Sequence, residues 1–285
     1  MAMTVLSIFA LISLTPAILL PYRKDPKPDR WFWAMLALAI AGTVVLILTR
    51  LSTGWKTDVS TALWFTIFAC LILYLPIVTS VSKDSWRLSP LLMPYLFILG
   101  VLAIFLSDSS NQPLVNNAHV VWMGTHILVS VATYGLITLA AVAALAASIQ
   151  TRALKLKKRT TLSKLLPSVT SSEKLVLQLL YTGEFVLVAG LISGMASQYL
   201  NTEKLLIFDH KTIFAITVFL VIGILLILNH HSGTRGKTST HLVLLAYILL
   251  TLGYPGVKLV TDVILVDQHF HSTLKIIVCV KSGFA

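Results

Sequence analysis

Long runs of apolar residues alternate with short polar segments along this chain of 285 residues. A run of roughly 17 to 25 apolar residues can cross a hydrocarbon core of ~30 Å as an α-helix, with its backbone hydrogen bonds satisfied internally. The pattern predicts spans at residues 4–20, 31–49, 61–81, 88–106, 119–149, 175–199, 210–229 and 241–265. The predicted fold class is therefore all-α, a polytopic membrane helix bundle of about eight transmembrane helices.

The composition supports the same class. Hydrophobic residues make up 56% of the chain and charged residues 12%, and the mean hydropathy is +0.87. Soluble globular domains carry about twice that share of charged residues. We expect residues 1–265 to form a single integral membrane domain and residues 266–285 to form an extracytoplasmic tail. The two cysteines, Cys70 and Cys279, provide no disulfide framework.

Basic residues between the spans set the predicted orientation, because loops rich in Lys and Arg stay on the cytoplasmic side. These residues gather after the first, fifth and seventh spans, at Arg23, Lys24, Lys27 and Arg30, at Arg152, Lys155, Lys157, Lys158, Arg159 and Lys164, and at Arg235 and Lys237. These loops are predicted to be cytoplasmic, which places both termini outside. They also explain most of the net charge of +11, and no sequence motif indicates a nucleic-acid partner.

His126 lies inside the fifth span, where a purely structural helix would carry no ionisable side chain. An unpaired polar group in hydrocarbon costs roughly 2 to 7 kcal/mol, so this face should meet a ligand, water or another helix. A neutral imidazole is a common ligand of haem iron. A metallo-cofactor is the leading interpretation, with Ser130 or Tyr134 orienting the ring. The alternative is a histidine that is hydrogen-bonded across a helix interface.

Two further histidines are predicted to lie near the same outer face. His119 shares the outer end of the fifth span with His126, and His210 opens the seventh span from the same side. Seven residues of helix rise about 10 Å, so His119 and His126 cannot be opposite axial ligands of one iron. The predicted cofactor-binding residues are therefore His126, His210 and His119, with His126 as the ligand of a haem iron.

Other ionisable residues within the spans support an alternative function. Glu184 lies in the inner half of the sixth span and must be protonated, paired or hydrated. Lys258 and Asp262 are four residues apart in the eighth span and can pair with each other. On this alternative the chain is a membrane transporter or the regulatory partner of an ion transporter. No nucleophile, general base and oxyanion site can be assembled from the spans, so the sequence favours a non-enzymatic role.

Several segments together carry a resemblance to a known family. They are Trp122-Met-Gly-Thr-His126-Ile-Leu-Val-Ser-Val-Ala-Thr-Tyr134 with the basic loop that follows it, Ser172-Glu-Lys-Leu, Gly190-Leu-Ile-Ser-Gly194, His210-Lys-Thr212 and Gly256-Val-Lys258. Over residues 60–265 the chain resembles the CcsA/CcmC-type cytochrome c assembly proteins, and most closely their YpjD/HemX-like integral membrane branch.

The resemblance implies haem handling at the outer face of a bacterial cytoplasmic (inner) membrane during the maturation of c-type cytochromes. His126 matches an external histidine that binds haem in this family. The implied partners are haem, membrane lipid, and other cytochrome c maturation proteins or another membrane protein. Family members that present haem for attachment carry a tryptophan-rich segment, the WWD motif, before the counterpart of the seventh span. This chain has residues 199–210 there and no tryptophan after Trp122.

Overall fold

The computed structural model describes residues 2–19, 22, 27–52, 58–81, 84–107, 120–157, 160–202, 210–232 and 237–256. Nearly all of this part of the chain is helical, and it contains no strand. The helices are α1 (Ala2–Leu19), α2 (Arg30–Ser52), α3 (Val59–Pro76), α4 (Ser89–Phe105), α5 (Val120–Lys155), α6 (Thr161–Leu165), α7 (Val169–Thr202), α8 (His210–Ser232) and α9 (Lys237–Thr251). Short π-helical turns, Ile77–Val81 and Leu252–Gly256, continue α3 and α9, and a 3-10 turn, Ser85–Leu88, precedes α4.

Each predicted span overlaps one of the long helices. Six of them are long and apolar enough to cross a membrane: α2, α3 with the π turn that follows it, α4 with the 3-10 turn that precedes it, α5, α7 and α8. The apolar segments Met3–Leu19 of α1 and Thr238–Thr251 of α9 are shorter. The all-α membrane fold is thus confirmed, while the count of eight crossings and the position of the termini stay predictions. Residues 257–265 of the last predicted span and the predicted tail, 266–285, lie outside the described residues.

Helices α5 and α7 are longer than the spans predicted for them. Helix α5 continues to Lys155 instead of ending at 149, and α7 begins at Val169 instead of 175. Apolar character marks the part of a helix that lies in hydrocarbon, while backbone hydrogen bonding continues into the polar boundary. The Gln150 side chain fixes the extended end, since its amide donates to the carbonyls of Ser163 and Leu166 at 2.7 and 3.1 Å.

The long helices pack as two groups of four. In the first group α1 and α3 each pack against both α2 and α4, and in the second group α5 and α8 each pack against both α7 and α9. We call these the α1–α4 group and the α5–α9 group. They meet where α3 and α4 pack against α5. Helix α5 therefore touches both groups, which makes it the central helix of the described structure.

Small residues let α5 approach its neighbours closely. Its middle is buried and rich in alanine, and two glycines lie at its contacts. A Cβ added at Gly135 would stand 2.9 Å from Leu73 of α3, and one added at Gly183 of α7 would stand 3.0 Å from Ile137. Because packing replaces the hydrophobic effect as the force between helices in lipid, the contact at Gly135 holds the two groups together and the contact at Gly183 stabilises the α5–α9 group.

A buried polar cluster ties the α1–α4 group together near the start of α3. The two terminal nitrogens of Arg50 donate to Thr61 Oγ1 at 2.7 Å, Ser60 Oγ at 3.1 Å and Ser7 Oγ at 3.3 Å. The carboxylate of Asp58 lies 3.8 Å from the same guanidinium. These donors reach from α2 to α1 and α3. The positive charge of Arg50 is therefore paired and hydrogen-bonded within the α1–α4 group.

Candidate functional site at the α5 and α7 interface

His126 lies in the second turn of α5, with its ring against α7. The ring occupies space that the missing side chain of Gly194 leaves free, since a Cβ there would stand 3.0 Å from His126 Cε1. One turn earlier on α7, Gly190 faces Val129 of α5, where a Cβ would stand 3.4 Å from Val129 Cγ1. Two glycines four residues apart thus form a shallow groove on α7 that receives the half-buried imidazole.

The hydrogen bonds of Ser193 determine which ring nitrogen of His126 carries the proton. The Ser193 hydroxyl donates to the Gly190 carbonyl at 2.9 Å, and its oxygen lies 3.1 Å from His126 Nδ1. A hydroxyl has one hydrogen, so the Ser193 oxygen can only accept from the imidazole. With the Ser193 hydrogen directed to Gly190, we assign the Nδ1 position as the donor, and Nε2 of the neutral ring then keeps its lone pair. The Gly190 carbonyl also forms a hydrogen bond with the imidazole, and the described part of the chain provides no other partner for the ring.

Ser193 was not among the residues predicted to orient the ring. Tyr134 does not do so, because its hydroxyl lies 3.1 Å from Thr251 Oγ1 of α9. Ser130 is one turn from His126 on α5 itself, whereas the imidazole turns toward α7. The sequence signal was the segment Gly190-Leu-Ile-Ser-Gly194, a serine beside two small residues on one face, which indicates both close packing and an available oxygen.

The remaining predicted ligands are not brought together with His126 by the described residues. His210 is the first residue of α8, as predicted, but its side chain is outside the described part of the structure. His119 lies outside the described residues altogether, as do Lys258 and Asp262. Within the described ranges no group of three or more His, Cys, Asp or Glu side chains could hold a metal ion. Haem iron takes only one or two axial protein ligands, so the predicted set remains a prediction.

A second polar site lies deeper along α5, at the junction of the two helix groups. Thr251 of α9 donates to the Tyr247 carbonyl at 2.8 Å, so its oxygen accepts from the Tyr134 hydroxyl at 3.1 Å. The hydroxyls of Tyr95, on α4, and Tyr247 are 2.5 Å apart. The rings of Tyr134 and Tyr247 pack with their centroids 6.1 Å apart. These tyrosines satisfy one another and join α4, α5 and α9.

Glu184 forms a third polar site within the α5–α9 group. It lies near the middle of α7 and faces α8, where its Oε1 is 3.5 Å from the position that a Cβ of Gly223 would take. Its other oxygen, Oε2, is buried and has no hydrogen-bond partner in the part of the chain that the structure describes. The carboxyl group of Glu184 therefore lies against Gly223 of α8, and no described residue donates a hydrogen bond to it.

Comparison with known proteins places these helices in a wider context. Residues 55–265 match the family described as Cytochrome C assembly protein. The chain is also similar to a protein of Azospirillum brasilense described as "Uncharacterized 28.8 kDa protein in nifR3-like 5'region". The two are 46% identical over 267 residues, which cover 92% of this chain and 98% of that protein. No solved structure matches. The family match includes α3, α4 and the whole α5–α9 group, and it leaves out α1 and α2.

Proposed function

Because this chain belongs to the cytochrome c assembly protein family, we propose that it binds haem at the extracytoplasmic side of its helix bundle, with His126 as an axial ligand of the iron. The chain is a multi-pass membrane protein of cytochrome c biogenesis, and this proposal gives it a haem-handling role within that process. A place in the YpjD/HemX-like branch, in a bacterial inner membrane, belongs to the same proposal.

The hydrogen bond between His126 Nδ1 and Ser193 is the observation that carries the proposal, because the tautomer of the ring is assigned from it. An imidazole ligates iron through a nitrogen that holds a lone pair, and the other nitrogen usually donates to an oxygen that fixes the ring. The hydrogen bond from Nδ1 to Ser193 supplies that support at 3.1 Å, and it leaves Nε2 in the form that a metal requires. The same hydrogen bond would serve a histidine that only bridges α5 and α7, so the spectrum described below separates the two roles.

The position of His126 along α5 supports the outer face. His126 is six residues after the start of α5, and the basic residues near the other end of α5 are predicted to be cytoplasmic. His210 opens α8 at the same predicted side, which makes it the first candidate for the second axial ligand; His119 is the next. Bound haem would supply an iron centre, while the chain would supply the ligand, its orientation and an apolar surrounding.

Absorption spectroscopy of the purified protein tests this proposal. Protein made with ample haem and purified in detergent should show a Soret band, and its reduced form should show the bands of a ligated haem. His126→Ala should lose most of that absorption because no other group would replace Nε2.

The matched control is His231→Ala, which removes an exposed histidine from the opposite end of the bundle. It should keep the wild-type spectrum. The proposal is wrong if wild-type protein shows no Soret band, or if the band survives His126→Ala at full strength.

A further inference from the structure

Glu184 has an unmatched carboxyl group within a helix that is long and apolar enough to span the membrane. Its Oε2 is buried without a hydrogen-bond donor, and Oε1 rests over Gly223 of α8 at 3.5 Å from the Cβ position. The side chain as a whole is half-buried, so the carboxyl is not sealed from its surroundings. A methyl group at position 223 would make an ordinary van der Waals contact with Oε1.

No cation on the helices that pack against α7 offers Glu184 a counter-charge. Helices α5 and α8 are those neighbours. On α5 no ionisable side chain lies between Tyr134, which is bonded to Thr251, and Arg152 near the inner end. On α8 none lies between Lys211 and His230.

On α7 itself, the nearest titratable side chain is Tyr181, one turn away and 52% exposed. The nearest basic residue before Glu184 on that helix is Lys174, in its second turn and exposed. Ten residues of helix rise about 15 Å, which is too far for an ion pair. The carboxyl thus lacks both a counter-ion and a hydrogen-bond donor among the described residues.

A purely structural role would be better served by another side chain. An unpaired charge in hydrocarbon is costly, and an apolar residue of similar size would pack at the same place without that cost. Ionisable residues inside spans generally mark sites that bind or move ions. A proton is the ligand that satisfies a lone carboxyl with no other donor nearby.

We propose that Glu184 is an intramembrane proton-binding site at the α7 and α8 interface, which exchanges its proton with solution. This inference does not depend on haem. It assigns a role to the half-buried carboxyl of Glu184, which the haem proposal does not use.

Modification by dicyclohexylcarbodiimide tests the proposal because this apolar reagent reacts with carboxylic acids in apolar surroundings. The acid adds across one C=N bond, with its oxygen joining the central carbon and its proton passing to nitrogen. The adduct then rearranges by acyl transfer from oxygen to nitrogen into a stable N-acylurea. Nothing leaves, so the protein gains the whole mass of the reagent.

Full-length protein in micelles is treated over a range of pH and analysed by peptide mass spectrometry. Glu184 should be the main modified residue in wild-type protein. The rate should fall about tenfold for each pH unit above the midpoint, as expected for a one-proton site. Glu184→Gln should lose the modification, whereas Glu173→Gln, which changes a carboxyl in the second turn of α7, should keep it.

The wild-type peptide map alone decides the case if the Glu184 variant does not fold. Absence of label on Glu184 at every pH, or a labelling rate that does not change with pH, would overturn the proposal. Protein that shows no Soret band can still give the expected labelling. Failure of the haem proposal and failure of this one are therefore separate results.

Discussion

Two polar sites lie on α5, eight residues apart, and they differ in which of their polar atoms are hydrogen-bonded. At Tyr134 the single hydroxyl hydrogen is donated to Thr251, whose own hydrogen goes to the Tyr247 carbonyl. At His126 the Nδ1 hydrogen is donated to Ser193, whose own hydrogen goes to the Gly190 carbonyl. The supporting hydroxyls therefore work in the same way. The difference is that the imidazole has a second polar atom, its other nitrogen, whereas the phenol has only its one oxygen.

The two residues illustrate two uses of a polar side chain in a helix bundle. Tyr134 stabilises the packing of helices, whereas His126 has an atom that could bind a ligand. Tyr134 is 2% exposed and joins a tyrosine cluster that spans both helix groups, while His126 is half-buried near the end of α5. Polar groups that satisfy one another stabilise the packing of helices in lipid. The haem proposal requires an unused lone pair at a reachable position, and a half-buried imidazole near the end of α5 meets the second requirement.

Removing the support of the imidazole should have the largest effect among the following changes. Ser193→Ala takes away the acceptor of the Nδ1 hydrogen, so the ring loses its fixed tautomer and orientation. We expect haem affinity to fall by about 10- to 100-fold, the usual consequence of losing the outer partner of a metal-bound histidine. Titration of haem-free protein with haemin, followed by absorbance, measures the change.

Ser130→Ala is the matched control for this titration. It removes a hydroxyl that the sequence alone offered as an equally good partner, one turn from His126 on the same helix. It should leave the affinity unchanged. Equal losses in the two variants would mean that the bond to Ser193 does not orient the ring.

The fold could largely be predicted from the sequence, because apolar runs of the right length leave few alternatives to membrane-spanning helices. The ends of α5 and α7 could not, since helical hydrogen bonding continues past the point where hydropathy falls. The division into two groups of four helices could not be predicted either. It depends on which surfaces pack, and glycines such as Gly135 and Gly183 influence that choice only through the partner they meet.

The proposed site is centred on a residue that the sequence alone singles out, and the role of that residue as a ligand stays a prediction. His126 stands out because an ionisable side chain inside an apolar run needs a reason, and that argument requires no knowledge of neighbours. Its partner was missed because Ser193 lies 67 positions further along the chain, and no local rule connects the two. Glu184 stands out for the same reason as His126, but its lack of a partner becomes visible only when α8 is in place.

The glycine groove on α7 provides a finer test of the same site. A Cβ at position 194 would press on the imidazole at 3.0 Å, so Gly194→Ala should displace the ring and reduce haem affinity about fivefold, at the low end of an overpacking cost. Gly124→Ala is the control, because a Cβ there would have no other atom within 4 Å. If both variants bind haem like the wild type, the imidazole does not use the groove when haem is bound.

Tyr134→Phe should have the smallest effect on haem and should act on stability instead. The change removes one hydrogen bond and keeps the ring packed against Tyr247, so the free energy of unfolding should fall by about 1 kcal/mol. Thr251 still donates to the Tyr247 carbonyl, so no buried donor is left unpaired. Thermal unfolding in detergent and haemin titration measure the two effects. If Tyr134→Phe lost the Soret band as completely as His126→Ala is expected to, Tyr134 would also be needed for haem binding. The contrast between the two positions on α5 would then be wrong.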